Sequence, residues 1–218
     1  MTRMIIVSFV IAGFMIAGVV MATSLQGQDR DSFLRLLRSD NWEQRAEAFN
    51  KLNLTNAAIE SAEVKSALVD LLERENLLVE TTLQESGGQV GVSAKYGEKY
   101  SEYYSHLLGI VESIADQGDT RVLSVLVRSA YSPESPFALK LARRGEEVIP
   151  ILIDLSESTV SITRGRAFTM LGQVATRLRS KISGRALTQI RETLARGSSD
   201  KDDDARKQAI QALSKIDK

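Results

Sequence analysis

The densest group of potential metal ligands in this 218-residue sequence is the acidic run 200–204, Asp-Lys-Asp-Asp-Asp. Carboxylates spaced in this way bind Ca²⁺ in helix–loop–helix sites, whose loops also need a glycine at the sixth position and a glutamate at the twelfth. Ala205 and Gln211 occupy those two positions here. The run is instead typical of carboxylates that cap a helix and favour its positive N-terminal end.

The other sequence signals for catalysis or cofactor binding are incomplete. The chain has no cysteine and one histidine, His106, so a site built from cysteine and histidine ligands lacks donors. No serine lies in the G-x-S-x-G motif that is typical of a nucleophilic serine. The glycine-rich segment 87–91 is not followed by Lys-Ser/Thr, which a phosphate-binding loop requires. The sequence therefore predicts no catalytic residue, no metal and no cofactor.

Positive charge is concentrated between Ser161 and Arg196, where Glu192 is the only acidic residue. A turn and helix edges that share a face would form a basic ridge for an anionic partner. The residues of this candidate ridge are Arg177, Arg179, Lys181 and Arg185. Alternatively, the cations of this region pair with acids on the preceding helix, namely Glu146, Glu147, Asp154 and Glu157. The formal net charge is zero, so the composition gives no reason to expect nucleic acid as a partner.

A second candidate contact region follows the glycine-rich segment. Residues 85–98 contain four glycines and are predicted to be an irregular loop, and long loops in compact domains are often functional. Four of the five tyrosines of the chain lie at its end or just after it: Tyr96, Tyr100, Tyr103 and Tyr104. We expect these tyrosines to contribute to a partner-binding surface.

The N-terminus has the pattern of an export signal. Arg3 precedes the uncharged run 4–22, and Val20-x-Ala22 resembles the small-residue site at which a signal peptide is cleaved. The run is also just long enough for a membrane-spanning anchor. Residues 1–22 are therefore predicted to be a signal peptide or an N-terminal anchor that associates with the membrane through 4–22, and 23–30 a linker. Either outcome places the remaining chain outside the cytoplasm.

From residue 31 onward the hydrophobic periodicity is helical. Val64, Leu68, Leu71 and Leu72 form one apolar stripe, and further helices are predicted near 120–130, 137–143, 147–156, 160–178, 182–196 and 202–216. The predicted fold class is all-α, in one domain over residues 31–218.

One sequence motif, Arg-x-x-Ala-[Phe/Ile]-x-x-Leu, occurs three times along the chain. The three copies begin at Arg45, Arg164 and Arg206, with the small residue at Ala48, Ala167 and Ala209 and the final leucine at Leu52, Leu171 and Leu213. The Ala permits close approach of another helix, while the bulky residue and the Leu fill the interface between the two helices. The Arg stem covers apolar surface and its guanidinium reaches an adjacent turn. A motif that recurs in this way predicts stacked helix pairs. The Arg, Ala and Leu residues of the motif are then expected to have structural roles.

In these features the chain resembles HEAT-repeat proteins, including the short HEAT-like repeats of bacterial proteins. In that family the first helix of a pair carries a proline, the turn an aspartate, and the second helix opens with an arginine. Pro150, Asp200 and the three arginines match those positions, whereas Ser158 replaces one turn aspartate and Asp40 is displaced by one residue. The resemblance covers 31–53 and 146–216 and is loose between them. It implies a right-handed α-α superhelix, a HEAT-like solenoid, of about four to five helix pairs.

The resemblance implies a binding function rather than a reaction. We expect an exported, non-catalytic scaffold of the cell envelope, acting outside the cytoplasm on a protein partner, since stacked repeats form extended concave surfaces. Two alternatives stay open. One is an accessory or maturation factor, or an enzyme subunit of the HEAT-like lyase type. The other is a membrane-anchored protein whose solenoid serves as a spacer.

Overall fold

The regular secondary structure of the protein is helical wherever the structure describes it. The computed structural model describes residues 30–51, 61–87, 92–114 and 119–217. The helices are α1 (30–37), α2 (Trp42–Lys51), α3 (Ala62–Glu85), α4 (Val92–Tyr96), α5 (Glu98–Ile114), α6 (Thr120–Arg128), α7 (Pro136–Ala142), α8 (Ile149–Leu155), α9 (Ser161–Arg177), α10 (Gly184–Gly197) and α11 (Asp203–Ile216). A 3₁₀ turn, Gly145–Glu147, precedes α8. The all-α prediction is confirmed for these residues.

The chain divides into two compact units, residues 1–71 and 72–218, and α3 crosses the boundary. In the first unit, α1 buries Phe33, Leu34 and Leu37, and the part of α3 before the boundary buries Val64 and Leu68. In the second unit, α9 packs against α7, α8, α10 and α11, and its contact with α11 is the most extensive. The second unit therefore has α9 at its centre.

Side-chain caps define where several helices begin. Asp119 accepts hydrogen bonds from the backbone N–H groups of Arg121 and Val122 at the start of α6. Ser135 and Ser183 cap α7 and α10 in the same manner. Asp202 accepts from the N–H groups of Asp204 and Ala205 at the start of α11. The acidic run therefore contributes a helix cap, as its sequence predicts, because a carboxylate satisfies amides that lack partners within the helix.

The three motif arginines make the same local hydrogen bonds. Arg45 donates to the backbone oxygens of Ser39 and Asp40 at 2.8 and 2.9 Å. Arg164 donates to the oxygens of Ser158 and Thr159 at 2.9 and 3.2 Å. In the third copy, Arg206 donates to the oxygen of Asp200 at 2.6 Å. Each guanidinium thus satisfies carbonyls five or six residues before it, in the turn that precedes its own helix.

Arg164 makes one further contact, to the turn before α11. Its Nε and Nη2 donate to the two carboxylate oxygens of Asp200, both at 2.7 Å, and both side chains are 9% exposed. The hydrogen bonds from Arg164 lower the pKa of Asp200 below its usual value. This bidentate pair ties the beginning of α9 to the beginning of α11.

The third copy of the motif departs from the predicted burial. Ala48, Ala167 and Ala209 are all buried, and Phe168 and Leu171 are buried in the second copy. Ile210, which corresponds to Phe168, is 49% exposed, and Leu213 is only half-buried. Phe168 is covered because the end of α10, at Gly197, packs against its ring, whereas the described residues place no helix over Ile210. Leu52, of the first copy, lies outside the described residues.

The segment predicted to be an irregular loop, 85–98, is partly helical in the structure. Helix α3 continues to Glu85, and residues 92–96, inside the predicted loop, form α4. Gly87 and Gly97 have positive φ angles, 60° and 86°, so they end α3 and separate α4 from α5. The glycines therefore mark helix boundaries, and of the predicted loop only residues 88–91 lie outside the described residues.

The predicted signal or anchor at 1–22 and most of the linker at 23–30 also lie outside the described residues. Within the four described ranges, every helix is too short or too polar to cross a membrane.

Candidate functional site: a polar groove on α9 and α11

Helices α9 and α11 approach closely because glycines line part of their contact. A β-carbon placed on Gly172 would lie 2.8 Å from the Cβ of Ala212, and one on Gly165 would lie 2.8 Å from Oε1 of Gln208. Gly165 therefore faces Gln208 while Gly172 faces Ala212, so the two helices run in the same direction. Their C-terminal ends meet where Arg179 donates to the backbone oxygen of Ile216 at 3.2 Å.

A solvent-accessible groove of about 490 Å³ lies along this pair of helices. Glu134, in the segment that leads into α7, and Leu139, within α7, contribute to its lining. The remaining lining residues are Thr169, Gly172, Gln173, Thr176, Arg177, Gln208, Gln211, Ala212 and Lys215. Amides, hydroxyls and charged groups predominate, and all of these residues belong to the second unit.

The amide side chains are held in place by neighbouring groups. Gln173 donates through Nε2 to the backbone oxygen of Pro133 at 2.9 Å, which connects α9 to the segment before α7. The Oε1 of Gln173 is buried and accepts no hydrogen bond from any described residue. On the other side, Oε1 of Gln208 lies 3.1 Å from the hydroxyl of Thr169. Burial of an acceptor without a donor costs free energy, so the amide of Gln173 is only partly satisfied in this arrangement.

The charged lining residues are separated along the groove. Arg177 lies in the last turn of α9 and Lys215 in the last turn of α11, so both cations are at the C-terminal ends of parallel helices. Glu134 also lines the groove and directly follows Pro133, whose backbone oxygen accepts from Gln173. All three side chains are exposed and make no ion pair with any described residue. The groove therefore offers two cations at the C-terminal ends of α9 and α11 and one carboxylate from the segment before α7.

The predicted basic ridge is partly assembled in the structure. Arg177, Arg179, Lys181 and Arg185 are all exposed, over the end of α9, the following turn and the first turn of α10. Arg177 lines the groove, and Arg179 contacts the end of α11. Glu146 accepts a hydrogen bond from the backbone N–H of Ser183 in the same turn, and this bond lowers the pKa of Glu146. The ridge thus continues the cationic end of the groove but is interrupted by an acid.

The alternative pairing of these cations with preceding acids occurs at one position. Arg196 lies 3.9 Å from Glu157, and both side chains are largely exposed. Glu147 pairs with Arg144 and Asp154 with Arg128 instead. Exposed pairs of this kind contribute little to stability, because water and salt screen them. The four ridge residues make no ion pair with any described acid, and among their side chains that of Arg179 alone donates to a backbone oxygen, that of Ile216.

Three of the four candidate tyrosines are buried, which corrects the expectation of a tyrosine-lined contact surface. Tyr100, Tyr103 and Tyr104 are 0%, 5% and 8% exposed on α5, whereas Tyr96 is partly exposed. Their helix turns its aromatic stripe towards α3, since a tyrosine ring buries much apolar area. These three residues therefore belong to the core of the second unit.

The buried tyrosines share polar partners on α3. Tyr100 and Tyr103 donate to the two oxygens of Glu75 at 2.7 and 3.1 Å, and Tyr104 donates to Oδ1 of Asn76 at 2.5 Å. Asn76 in turn donates to the backbone oxygen of Val125 at 3.0 Å. Burial raises the pKa of Tyr100 well above its usual range and that of Tyr104 to about 12. The hydroxyls are therefore held protonated within a satisfied network.

The sequence analysis did not single out the amide and threonine residues of the groove. Thr169, Gln173 and Thr176 on α9, like Gln208, Gln211 and Lys215 on α11, follow one another by three or four positions. This spacing forms a polar stripe on each helix, but a polar stripe on one helix is also what a solvated face looks like. Only the parallel packing of the two helices turns the stripes into one groove.

Within the described residues, no group of three or more histidine or acidic side chains is arranged to hold a metal ion. His106 lies on an exposed face of α5. The sequence matches no family model, and no curated protein is significantly similar to it.

Proposed function

We propose that this protein is an exported, non-catalytic scaffold of the cell envelope that binds a protein partner in the groove between α9 and α11. The groove is the observation that carries the proposal. It combines amide groups, which match the hydrogen-bonding needs of a peptide chain, with charges at defined positions. Sites with this lining recognise polar segments by hydrogen bonds and by charge complementarity.

We further propose that the helices stack as HEAT-like repeats. The support is the common structure of the three arginine motifs, each of which closes the turn before its own helix. The pair formed by Arg164 and Asp200 then joins one such turn to the next. Stacked helix pairs place their second helices side by side, which is how α9 and α11 generate a shared groove.

A photo-crosslinking residue in the groove tests the binding function. It is introduced at Gln211, an exposed lining residue, in cells that produce the full chain. The matched control carries the same residue at Ser214, which is exposed on α11 but outside the groove lining. We expect crosslinked envelope proteins with the Gln211 variant and none with the control. Equal crosslinking at both positions, or none at either, would contradict the proposal.

Mass spectrometry of the N-terminus tests the proposed location. Cleavage after Ala22 would give a protein that begins at Thr23 and occurs in the soluble envelope fraction. A chain that begins at Met1 and occurs in the membrane fraction would be the anchored form, in keeping with a spacer role. Recovery of an uncleaved chain from the cytoplasm would overturn the proposal of export.

A further inference from the structure

We infer that the groove recognises an extended peptide segment through a carboxylate, which binds between Arg177 and Lys215. This inference rests on the proposed binding function and specifies its ligand. The two cations line the same groove, and both lie in the last turn of parallel helices that contact each other near Arg179 and Ile216. A carboxylate at this end would accept hydrogen bonds from a guanidinium on one side and an ammonium on the other.

The helix ends explain part of this arrangement, and the two full positive charges outweigh the partial negative charge of about one half at each helix C-terminus. Cations near a helix C-terminus are attracted by the negative end of the helix dipole. That attraction uses the charge of each group and not its N–H donors. Because Arg177 and Lys215 make no ion pair with any described residue, their donors are available for a carboxylate.

The middle of the groove favours a peptide backbone over a compact anion. Its lining presents the hydroxyls of Thr169 and Thr176 and the amide of Gln208, which match the donors and acceptors of a peptide backbone. The side chain of Gln211, exposed on the facing helix, offers both a donor and an acceptor. Thr169 and Arg177 are eight helical positions apart, about 12 Å, which corresponds to about four residues of an extended chain.

Glu134 limits the ligand to one with few negative charges. Glu134 lines the groove, follows Pro133, whose backbone oxygen accepts from Gln173, and makes no ion pair with any described residue. It would repel a polyanion or a densely anionic lipid surface, and it would attract a backbone N–H or a cationic side chain. The groove therefore matches a segment with a carboxylate at one end and neutral or basic residues before it.

Binding of defined peptide mixtures to the immobilised full chain tests this inference. The probes are equimolar hexapeptide libraries with amidated ends that differ only in a fixed Glu or Gln at the fifth position. A third library has the fixed Gln and a free C-terminal carboxylate, which distinguishes a side-chain carboxylate from a terminal one. We expect about fivefold greater retention of a carboxylate library than of the neutral one, with a smaller difference at high salt.

Paired variants with equal loss of charge identify the residues responsible. Arg177→Gln combined with Lys215→Gln removes the two groove cations. Lys181→Gln combined with Arg185→Gln removes two exposed cations that do not line the groove. We expect the first pair to abolish the preference for a carboxylate and the second to preserve it, with unchanged circular dichroism in both. Glu134→Gln should increase retention of the carboxylate libraries about twofold, because it removes a repulsive charge.

The possible outcomes separate this inference from the proposed function. Loss of the preference in both variant pairs, or in neither, would overturn the carboxylate site. So would the absence of retention for every library, or binding to phosphatidylglycerol vesicles that is lost when Lys181 and Arg185 are replaced. If crosslinking at Gln211 persists in these cases, the groove binds a partner by other chemistry and only the carboxylate site is wrong.

Discussion

At the scale of single residues, the motif arginines act on their own neighbourhood. Arg45, Arg164 and Arg206 each donate to a backbone oxygen five or six positions earlier. The oxygen belongs to a turn that has no helical partner for it, so the guanidinium replaces a missing hydrogen bond. Arg164 differs because its remaining donors reach a carboxylate 36 positions later, that of Asp200.

Replacement of Asp200 by asparagine should lower the stability of the protein in a pH-dependent manner. Asp200→Asn removes the charge that pairs with a buried guanidinium, and we expect a loss of about 2–3 kcal/mol in the free energy of unfolding at pH 7. The pKa of Asp200 is lowered in the folded state, so the unfolded state binds the proton first as the pH falls. The contribution of the pair is thus present above about pH 4 and lost below it.

Urea unfolding of parent and variant between pH 2 and 7 measures this effect. The difference between the two proteins should shrink towards the acidic end of the range, since Asp200 then becomes neutral in the parent. Asp204→Asn is the matched control, because Asp204 is exposed and pairs only with the exposed Lys207 among the described residues. A loss of stability for Asp200→Asn no greater than for Asp204→Asn would show that the buried pair does not form.

At the scale of helices, α9 and α11 carry the same motif but differ on one face. The face through which α9 packs against α11 contains glycines, whereas the corresponding face of α11 itself is polar. Positions 42 residues apart correspond in the two motif copies. Gly165 and Gly172 of α9 are buried, while their counterparts Lys207 and Ser214 are exposed. Two glycines let a helix approach closely, whereas a lysine and a serine favour solvent. The outer face of α11 is therefore solvated where the corresponding face of α9 is packed.

Two glycine-to-alanine substitutions should have opposite effects on stability. The Cβ of Gly172→Ala would lie 2.8 Å from the Cβ and 3.2 Å from the Cα of Ala212, so the backbones of α9 and α11 must move apart. We expect a net loss of about 1–2 kcal/mol, since the cost of overpacking exceeds the gain in helix propensity. Gly109→Ala on α5 meets no atom within 4 Å and should add about 0.5–1 kcal/mol.

Chemical denaturation of both variants measures these changes from the shift in midpoint at a constant slope. Gly109→Ala serves as the control because it introduces the same methyl group into a helix without a steric contact. Stabilisation by both substitutions would mean that α9 and α11 do not approach as closely as described.

At the scale of the second unit, a buried polar cluster connects four elements. Asn76 of α3 accepts hydrogen bonds from Tyr104, Ser129 and Tyr131, which lie on α5, at the end of α6 and in the segment after it. The guanidinium of Arg166 on α9 lies 4.5 Å from the centre of the Tyr131 ring. Burial lowers the pKa of Arg166 and raises that of Tyr131. One asparagine therefore couples the packing of much of the unit.

Alkaline pH should unfold the second unit through these tyrosines. The folded-state pKa values of Tyr100, Tyr104 and Tyr131 are raised, mainly by burial, so each hydroxyl loses its proton more easily in the unfolded state. Their contribution to stability is full below about pH 10, the value for an unfolded chain, and decreases above it. We expect tyrosinate absorbance at 295 nm to rise in step with the loss of helical circular dichroism.

The variant Tyr100→Phe tests the cluster at neutral pH, where it leaves Glu75 with one donor fewer. We expect a loss of about 1–2 kcal/mol, the cost of a weakened buried hydrogen-bond network. Ionisation of these tyrosines near pH 10 with the helical signal intact would show that their hydroxyls are accessible to water.

Features that depend on near neighbours could be predicted from the sequence alone. The helix positions from 120 onward, the capping role of the acidic run and the reach of the motif arginines to an adjacent turn are of this kind. They follow from periodicity and from contacts within about six positions, which the order of residues already specifies. The export signal at 1–22 and the envelope partner stay predictions.

Features that depend on which helix faces meet were decided by the tertiary structure. Phe168 and Ile210 occupy the same position of one motif, but Phe168 is buried and Ile210 is 49% exposed, since burial requires a second helix over that face. Tyr100 reaches Glu75, 25 positions away, and a stripe of tyrosines alone does not reveal such a partner. The groove likewise exists only because α9 and α11 pack side by side in the same direction. Sequence determined the helices from residue 120 onward and their ends, whereas packing determined which of their faces are core and which can bind.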